Sequence, residues 1–205
     1  MTTSIQIGHL LRSGTSGFVA GCSVAQIETP SFGALVRAPI AKNYSVYGLI
    51  HDIHIDDDGL VRQLVTANEV REKVIADSRV NRIVPVEMSV LAVGYEQDSK
   101  IYHMLPPRPP LSLDVIYMCS QAELAKFTGA APHSEMGRRE FGYFRHLLQA
   151  KDIPLGELLA AHILQVKQET NNDQWVKQAT QELITLLRDD YPPLMSVLGA
   201  LGEVI

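Results

Sequence analysis

Hydrophobic and polar positions alternate in short runs through the first half of the chain, broken by Gly, Asn and Asp, whereas beyond about residue 119 apolar residues recur at spacings of three and four. Period two sends successive side chains to opposite faces of a strand, and period 3.6 gathers them on one helical face, so a sheet half precedes a helical half. Ile5, Ile7, Leu10 and Leu11 open a first strand that runs into Arg12-Ser13-Gly14-Thr15-Ser16-Gly17, where the glycines allow a hairpin turn. The return strand covers 18–27, a turn follows at 29–33, and a third strand at 34–38 is ended or edged by Pro39. Over 46–55 the alternation puts Leu49, His51, Ile53 and Ile55 on one face and Ile50, Asp52, His54 and Asp56 on the other.

Asp56-Asp57-Asp58-Gly59 predicts a reversal into a strand over 60–65, after which Asn68 caps a short helix carrying Val70 and Val74. Two further strand runs, 82–95 and 100–105, flank the polar turn Glu96-Gln97-Asp98-Ser99. Five to seven strands with turns at this spacing predict a small barrel rather than a βαβ sheet. The segment Met104-Leu105-Pro106-Pro107-Arg108-Pro109-Pro110 then predicts a stiff extended spacer that divides the sheet half from the helical half.

Residues 113–119 add a last strand, and Ser120-Gln121-Ala122-Glu123 forms a capping box before Leu124 and Phe127, with Gly129 as the stop. Ser134 caps a second helix to about Gln149 with Phe141, Phe144 and Leu148 in its stripe. Pro154 opens a third, in which Leu155, Leu158, Leu159, His162, Ile163 and Val166 recur with helical period. Asn172 or Asp173 caps a fourth, carrying Val176, Ala179, Leu183, Leu186 and Leu187, and Pro192-Pro193 precede a short apolar tail. The fold class is therefore α+β: an N-terminal small β-barrel over 1–118 followed by a C-terminal helical domain over 119–205.

Composition narrows the classes. With 205 residues, 46% hydrophobic and 20% charged, the chain buries a core without disulfides or metals, and its 6% aromatic content leaves that core to aliphatic side chains. Cys22 and Cys119 stand apart from any CxxC, which fits a reducing cytoplasm, and no run reaches the length of a membrane span. Residues 1–118 carry 10 Lys+Arg against 12 Asp+Glu, and 119–205 carry 8 against 11. Neither half is a polycation of the kind that grips nucleic acid through its phosphates.

The run Ile7-Gly8-His9-Leu10-Leu11-Arg12-Ser13-Gly14-Thr15-Ser16-Gly17-Phe18, the strand Tyr47-Gly48-Leu49-Ile50 and the exit Leu105-Pro106-Pro107-Arg108-Pro109-Pro110 together resemble the HAS-barrel family. That family is the N-terminal barrel of HerA-type DNA-translocating ATPases and ATP synthase, and the similarity covers roughly residues 4–118. It implies a collar that packs against neighbouring subunits, while hydrolysis resides in a motor domain for which this sequence has no counterpart.

Chemistry-bearing motifs are sparse. Ser13-Gly14-Thr15-Ser16-Gly17 has the glycines and hydroxyls of a phosphate loop but no Lys, so it reads as a hairpin. Alternation aims Asp52, His54 and Asp56 one way, a set that could hold a hard cation or manganese, against the plainer reading of a solvated strand face. Read as a calcium loop from His54 it fails at its first position and at Val65, where Glu is required. No GxSxG, HExxH or CxxC occurs, and His162 on an apolar face reads as a hydrogen-bonded core histidine. Arg138, Arg139, Arg145 and His146 form the densest basic cluster, although Glu135 stands four before Arg139 and favours an intrahelical pair.

These features predict a noncatalytic protein-interaction or assembly module, self-associating or docking on a larger complex that could include an ATPase, with no cofactor. Arg138, Arg139, Arg145, Leu194, Leu198 and Leu201 are the candidate partner-binding residues, the three leucines belonging to an apolar tail exposed unless it packs on the domain or a neighbour. Two alternatives stay open: a nucleic-acid accessory factor using the barrel as a groove, which needs stacked aromatics beside Lys or Arg, and a metal-dependent enzyme built on Asp52, His54 and Asp56.

Overall fold

A computed structural model of the chain describes residues 4–23, 30–55, 85–131 and 141–203. The predicted reversal at 56–59, strand at 60–65, helix from Asn68, cap at Ser134 and Glu135/Arg139 pair lie outside the described residues. Among the described residues seven strands are present: β1 Gln6–Ser13, β2 Gly17–Ser23, β3 Leu35–Ala41, β4 Tyr44–Ile55, β5 Pro85–Gln97, β6 Lys100–Tyr102 and β7 Val115–Met118. They run in the order β2-β1-β7-β3-β4-β5-β6, and the additional pairing of β2 with β5 closes six of them into an antiparallel barrel, with β6 left as a hairpin extension of β5. The turn into β6 places Asp98 (φ 50) and Ser99 (φ 67) in the left-handed region, as a two-residue hairpin whose twist matches its strands requires.

The barrel interior is filled by side chains, chiefly Ile7, Leu10, Phe18, Val36, Val46, Ile50, Met88, Val90 and Ile116, with Ala20, Ala38 and Ala92 where the ring is tight. Each large aliphatic residue removed from water here contributes about 1.5–3 kcal/mol. Pro39 sits in β3 beyond the stretch that pairs with β7, where its missing N–H leaves no ladder bond unmade.

Two sequence expectations change. The proline-rich segment is not a spacer between halves, because β7 follows it and pairs with both β1 and β3. It instead straps the barrel: Pro106 and Pro110 are buried, the Tyr44 hydroxyl donates to Arg108 O at 3.2 Å, and the Ser13 hydroxyl donates to Pro110 O. The alternation expected over 46–55 is also broken, because the register of β4 on β5 shifts between Ile50 and Asp52. One extra residue at that bulge puts Ile53 against the barrel core beside Ile50, and leaves Asp52 and His54 exposed.

Among the described residues five helices follow: α1 Gln121–Thr128, α2 Phe144–Gln149, α3 Leu155–Thr170, α4 Asp173–Leu187 and α5 Tyr191–Gly202. The capping box forms as predicted, Ser120 N donating to Glu123 Oε2 at 2.8 Å, and Gly129 ends α1 at φ 71. Asn172 caps α4 by accepting from Trp175 N at 3.0 Å. The expected short tail is a helix, since Pro192 and Pro193 occupy its first turn, where a missing N–H breaks no intrahelical bond.

The outward face of β3, β4 and β5 supplies Leu35, Tyr47, Leu49 and Val93 to the same core as Phe127, Tyr143, Phe144, Leu158, Ile163 and Trp175 of the helical half. Two ion pairs fasten α1 to this face, Arg37 to Glu123 at 2.8 Å and Lys126 to Glu96 at 2.6 Å. The Arg37 Nε approach lies outside hydrogen-bond geometry, so that pair is held by charge alone, with the guanidinium over the Tyr117 ring.

Gly33, at φ +81 between β2 and β3, packs its backbone against α3, and a Cβ there would stand 2.6 Å from Ala161 Cβ and 2.9 Å from His162 N. Gly33→Ala is expected to lower unfolding stability by roughly 2–4 kcal/mol through left-handed strain and overpacking, read from the shift of a denaturant midpoint.

Candidate functional site

The buried polar centre of the molecule lies where barrel and helices meet. His162 on α3 is fully buried; its Nδ1 donates to Gly33 O at 3.3 Å and its Nε2 accepts from the Tyr143 hydroxyl at 3.0 Å. One neutral tautomer satisfies both bonds, and burial pushes the imidazole down to about 4. His162 is thus the hydrogen-bonded core residue expected from its place on an apolar face. Around it Tyr143 packs edge-on to His103 and Phe144, and Tyr47 stacks on Phe127 at 4.8 Å. His103 Nε2 donates to Phe127 O at 2.9 Å, and His146 Nε2 donates to His103 O at 3.2 Å.

The sequence-predicted surface residues do not converge. Arg138, Arg139 and Asp56 lie outside the described residues. Arg145 is exposed on α2, its Nε donating to Gly142 O at 3.2 Å, on the rim of a concavity of about 660 Å³ shared with Met104, Lys126, Glu182 and Leu186. The apolar tail packs on the domain itself: Leu201 and Val197 of α5 are buried in the shared core and Leu194 packs partly against it. Leu198 is half-buried and Met195 exposed. Asp52 and His54 stand side by side on the outer face of β4, and among the described residues no group of three or more His, Cys, Asp or Glu could hold a metal ion. Cys22 and Cys119 are free thiols, and burial raises both, so neither has the thiolate character of a nucleophile.

Two surface features were not visible in the sequence. The first is the turn Leu111-Ser112-Leu113-Asp114 ahead of β7, in which Asp114 N donates to Leu111 O at 3.1 Å and Leu113 holds φ 73. A type II turn normally puts Gly at that position; here it carries a leucine that is 77% exposed, beside Leu111 at 66%. The turn is pinned: Leu111 N donates to Asp114 Oδ2 at 2.7 Å, Leu113 N to Leu10 O at 2.8 Å, Leu10 N to Asp114 O at 2.9 Å and the Ser112 hydroxyl to Leu11 O at 3.2 Å. Leu11, at a β1 bulge, is exposed as well, its side chain lying over Gly21 of β2.

The second is a ladder of half-buried tyrosines across β4, β5 and β6. Tyr95 stacks on its cross-strand partner Tyr102 at 4.9 Å, Tyr44 packs on Tyr95 at 5.7 Å, and Lys100 lies over the Tyr102 ring. Compared with known proteins, the chain matches no family model, and no curated protein matches it. What the structure defines is an α+β protein built on a closed six-strand antiparallel barrel with helices against one side. No helix among the described residues is long and apolar enough to cross a membrane.

The His162 arrangement sets a pH dependence. Between the ordinary imidazole value near 6.5 and about 4 the unfolded chain takes up a proton that the folded chain refuses, so stability is full above 6.5 and falls as pH drops to about 4. The expected loss is at most about 3 kcal/mol, and urea unfolding of His162→Gln against wild type should show a flatter profile across that window in the variant.

Proposed function

We propose that the protein is a noncatalytic, cytoplasmic assembly module of the HAS-barrel type, which self-associates or docks on a larger complex through the leucine turn at 111–114. The observation that carries this reading is Leu113: a large apolar side chain held in solvent on a left-handed backbone that costs a non-glycine residue about 1–2 kcal/mol. The turn into β7 needs the left-handed backbone, but glycine would supply it without strain, so the exposed leucine side chain adds nothing to the isolated fold while it suits a preformed contact whose ordering entropy is spent before a partner arrives. The resemblance of residues 4–118 to the collar barrels of HerA-type ATPases and ATP synthase, which pack against neighbouring subunits, supports the same assignment. An ATPase subunit is the partner class it suggests.

The tyrosine ladder favours a second reading, a nucleic-acid accessory factor, because stacked aromatics beside Lys100 are what a sequence-tolerant binding face needs. The assembly reading ranks first since the Tyr95 and Tyr102 faces are occupied by each other and by Lys100, and the Tyr44 hydroxyl is tied to Arg108 O.

In light scattering the wild type is expected to exceed monomer mass or to elute with a copurified partner, and Leu111→Ser with Leu113→Gly to abolish that association. Leu113→Gly should meanwhile leave stability unchanged or raise it by up to about 1 kcal/mol, an outcome a merely structural leucine would not give. A monomeric wild type without a partner sinks the proposal. Fluorescence anisotropy with single-stranded DNA separates the two readings: the assembly module gives no salt-dependent binding, whereas the accessory factor binds and loses affinity in Tyr102→Ala.

A further inference from the structure

A second concavity, of about 490 Å³, lies on the barrel wall between the β1–β2 hairpin, β5 and the loop joining α2 to α3. Two cations and an imidazole reach it from three unrelated pieces of chain: Arg12 at the end of β1, Lys151 in the α2–α3 loop, and His51 at the β4 bulge, which burial holds toward its neutral form. Ser13, Ser16 and Ser89 line it as well, and none of the described residues lining it is acidic, although the chain carries a net charge of −5.

The carboxylates beside these basic residues do not line the concavity. Asp52 adjoins His51, but the bulge between Ile50 and Asp52 brings His51 to the concavity without it. Asp152 adjoins Lys151, yet its left-handed backbone (φ 59) lets Lys151 and Ile153 line the wall while Asp152 does not. Glu87 touches Arg12 only at 3.8 Å, with the Arg12 side chain 72% exposed, a pair weak enough to yield to a better anion. Lys151 has no ion-pair partner among the described residues.

The hairpin can lean this closely on β5 because position 17 is glycine; a Cβ there would stand 2.5 Å from Val90 O. The remaining wall is apolar, with Val19, Leu91 and Ile153 exposed to the same space. Its volume falls in the range of small-molecule sites, about 300–1,000 Å³, and exceeds what a bare oxyanion fills.

We propose that this concavity binds a phosphate-bearing small molecule of about mononucleotide size. Arg12, Lys151 and the Ser16 and Ser89 hydroxyls would take the phosphate oxygens, and Val19, Leu91 and Ile153 the ring, the Ser13 hydroxyl being spent on Pro110 O. Arg and Lys supply here the charge that the Ser13-Gly14-Thr15-Ser16-Gly17 hairpin lacks within its own sequence.

Isothermal titration of the full chain with AMP, adenosine and inorganic phosphate tests the assignment. AMP is expected to bind saturably and at least about tenfold more tightly than either fragment, with affinity falling as ionic strength rises. Arg12→Ala with Lys151→Ala, both exposed and outside the core, should weaken AMP about tenfold or more while circular dichroism and melting stay native. Arg145→Ala, on the other concavity, should change nothing. The proposal is overturned by no saturable AMP binding up to about 5 mM, by unchanged affinity in the folded double variant, or by adenosine or phosphate binding as well as AMP.

Discussion

Burial of β4 on both faces at once is the constraint on which the rest of the structure depends. Val46, Tyr47, Gly48, Leu49 and Ile50 are all buried, because Val46 and Ile50 fill the barrel while Tyr47 and Leu49 lie under the helices. A sheet covered on two sides reads as a continuous apolar run rather than an alternation. Neither half is complete without the other. Stripped of helices, the barrel would present Leu35, Tyr47, Leu49 and Val93 to water; stripped of the barrel, Phe127 would lose the ring it stacks on and His162 the carbonyl it donates to.

Local signals were legible and long-range ones were not. The Ser13–Gly17 hairpin, the Asp98-Ser99 turn, the Ser120/Glu123 box, the Gly129 stop and the Asn172 cap each depend on residues within a few positions, so their chemistry could be read directly. His162 was legible for the same reason, as a polar residue inside a helical stripe. The strap role of 104–110 was not, because it follows from β7 pairing with strands about a hundred residues earlier. The β4 bulge likewise needs the partner strand to exist before it has meaning. Trp175, which no stripe reading singled out, proves central: its indole donates to Thr128 O at 2.8 Å and its ring is fully buried.

The surface followed the same division. Tyr44, Tyr95 and Tyr102 are separated in sequence and meet only through strand register, and Arg12, His51 and Lys151 meet only through barrel closure and the placement of α3. Leu113 gives no warning at all, since a leucine at a glycine-type turn position contradicts the propensity that sequence reading relies on. For Leu194 and Leu201 the sequence left two outcomes open, an exposed apolar tail or packing on the domain, and long-range contact chooses the second: a helix with prolines in its first turn folds back onto α3.

The order of strands around the ring also governs how the chain can be made. Of the strands that form the ring, β7 comes last in sequence yet sits between β1 and β3, so the ring stays open until residue 118 has left the ribosome. Through that interval one side of β1 and one side of β3 carry unpaired backbone groups, the kind of edge that recruits strands from other nascent chains. The prolines at 106, 107, 109 and 110 immediately precede the closing strand, and they hold this stretch extended as it emerges, so that β7 reaches the gap without first searching compact alternatives.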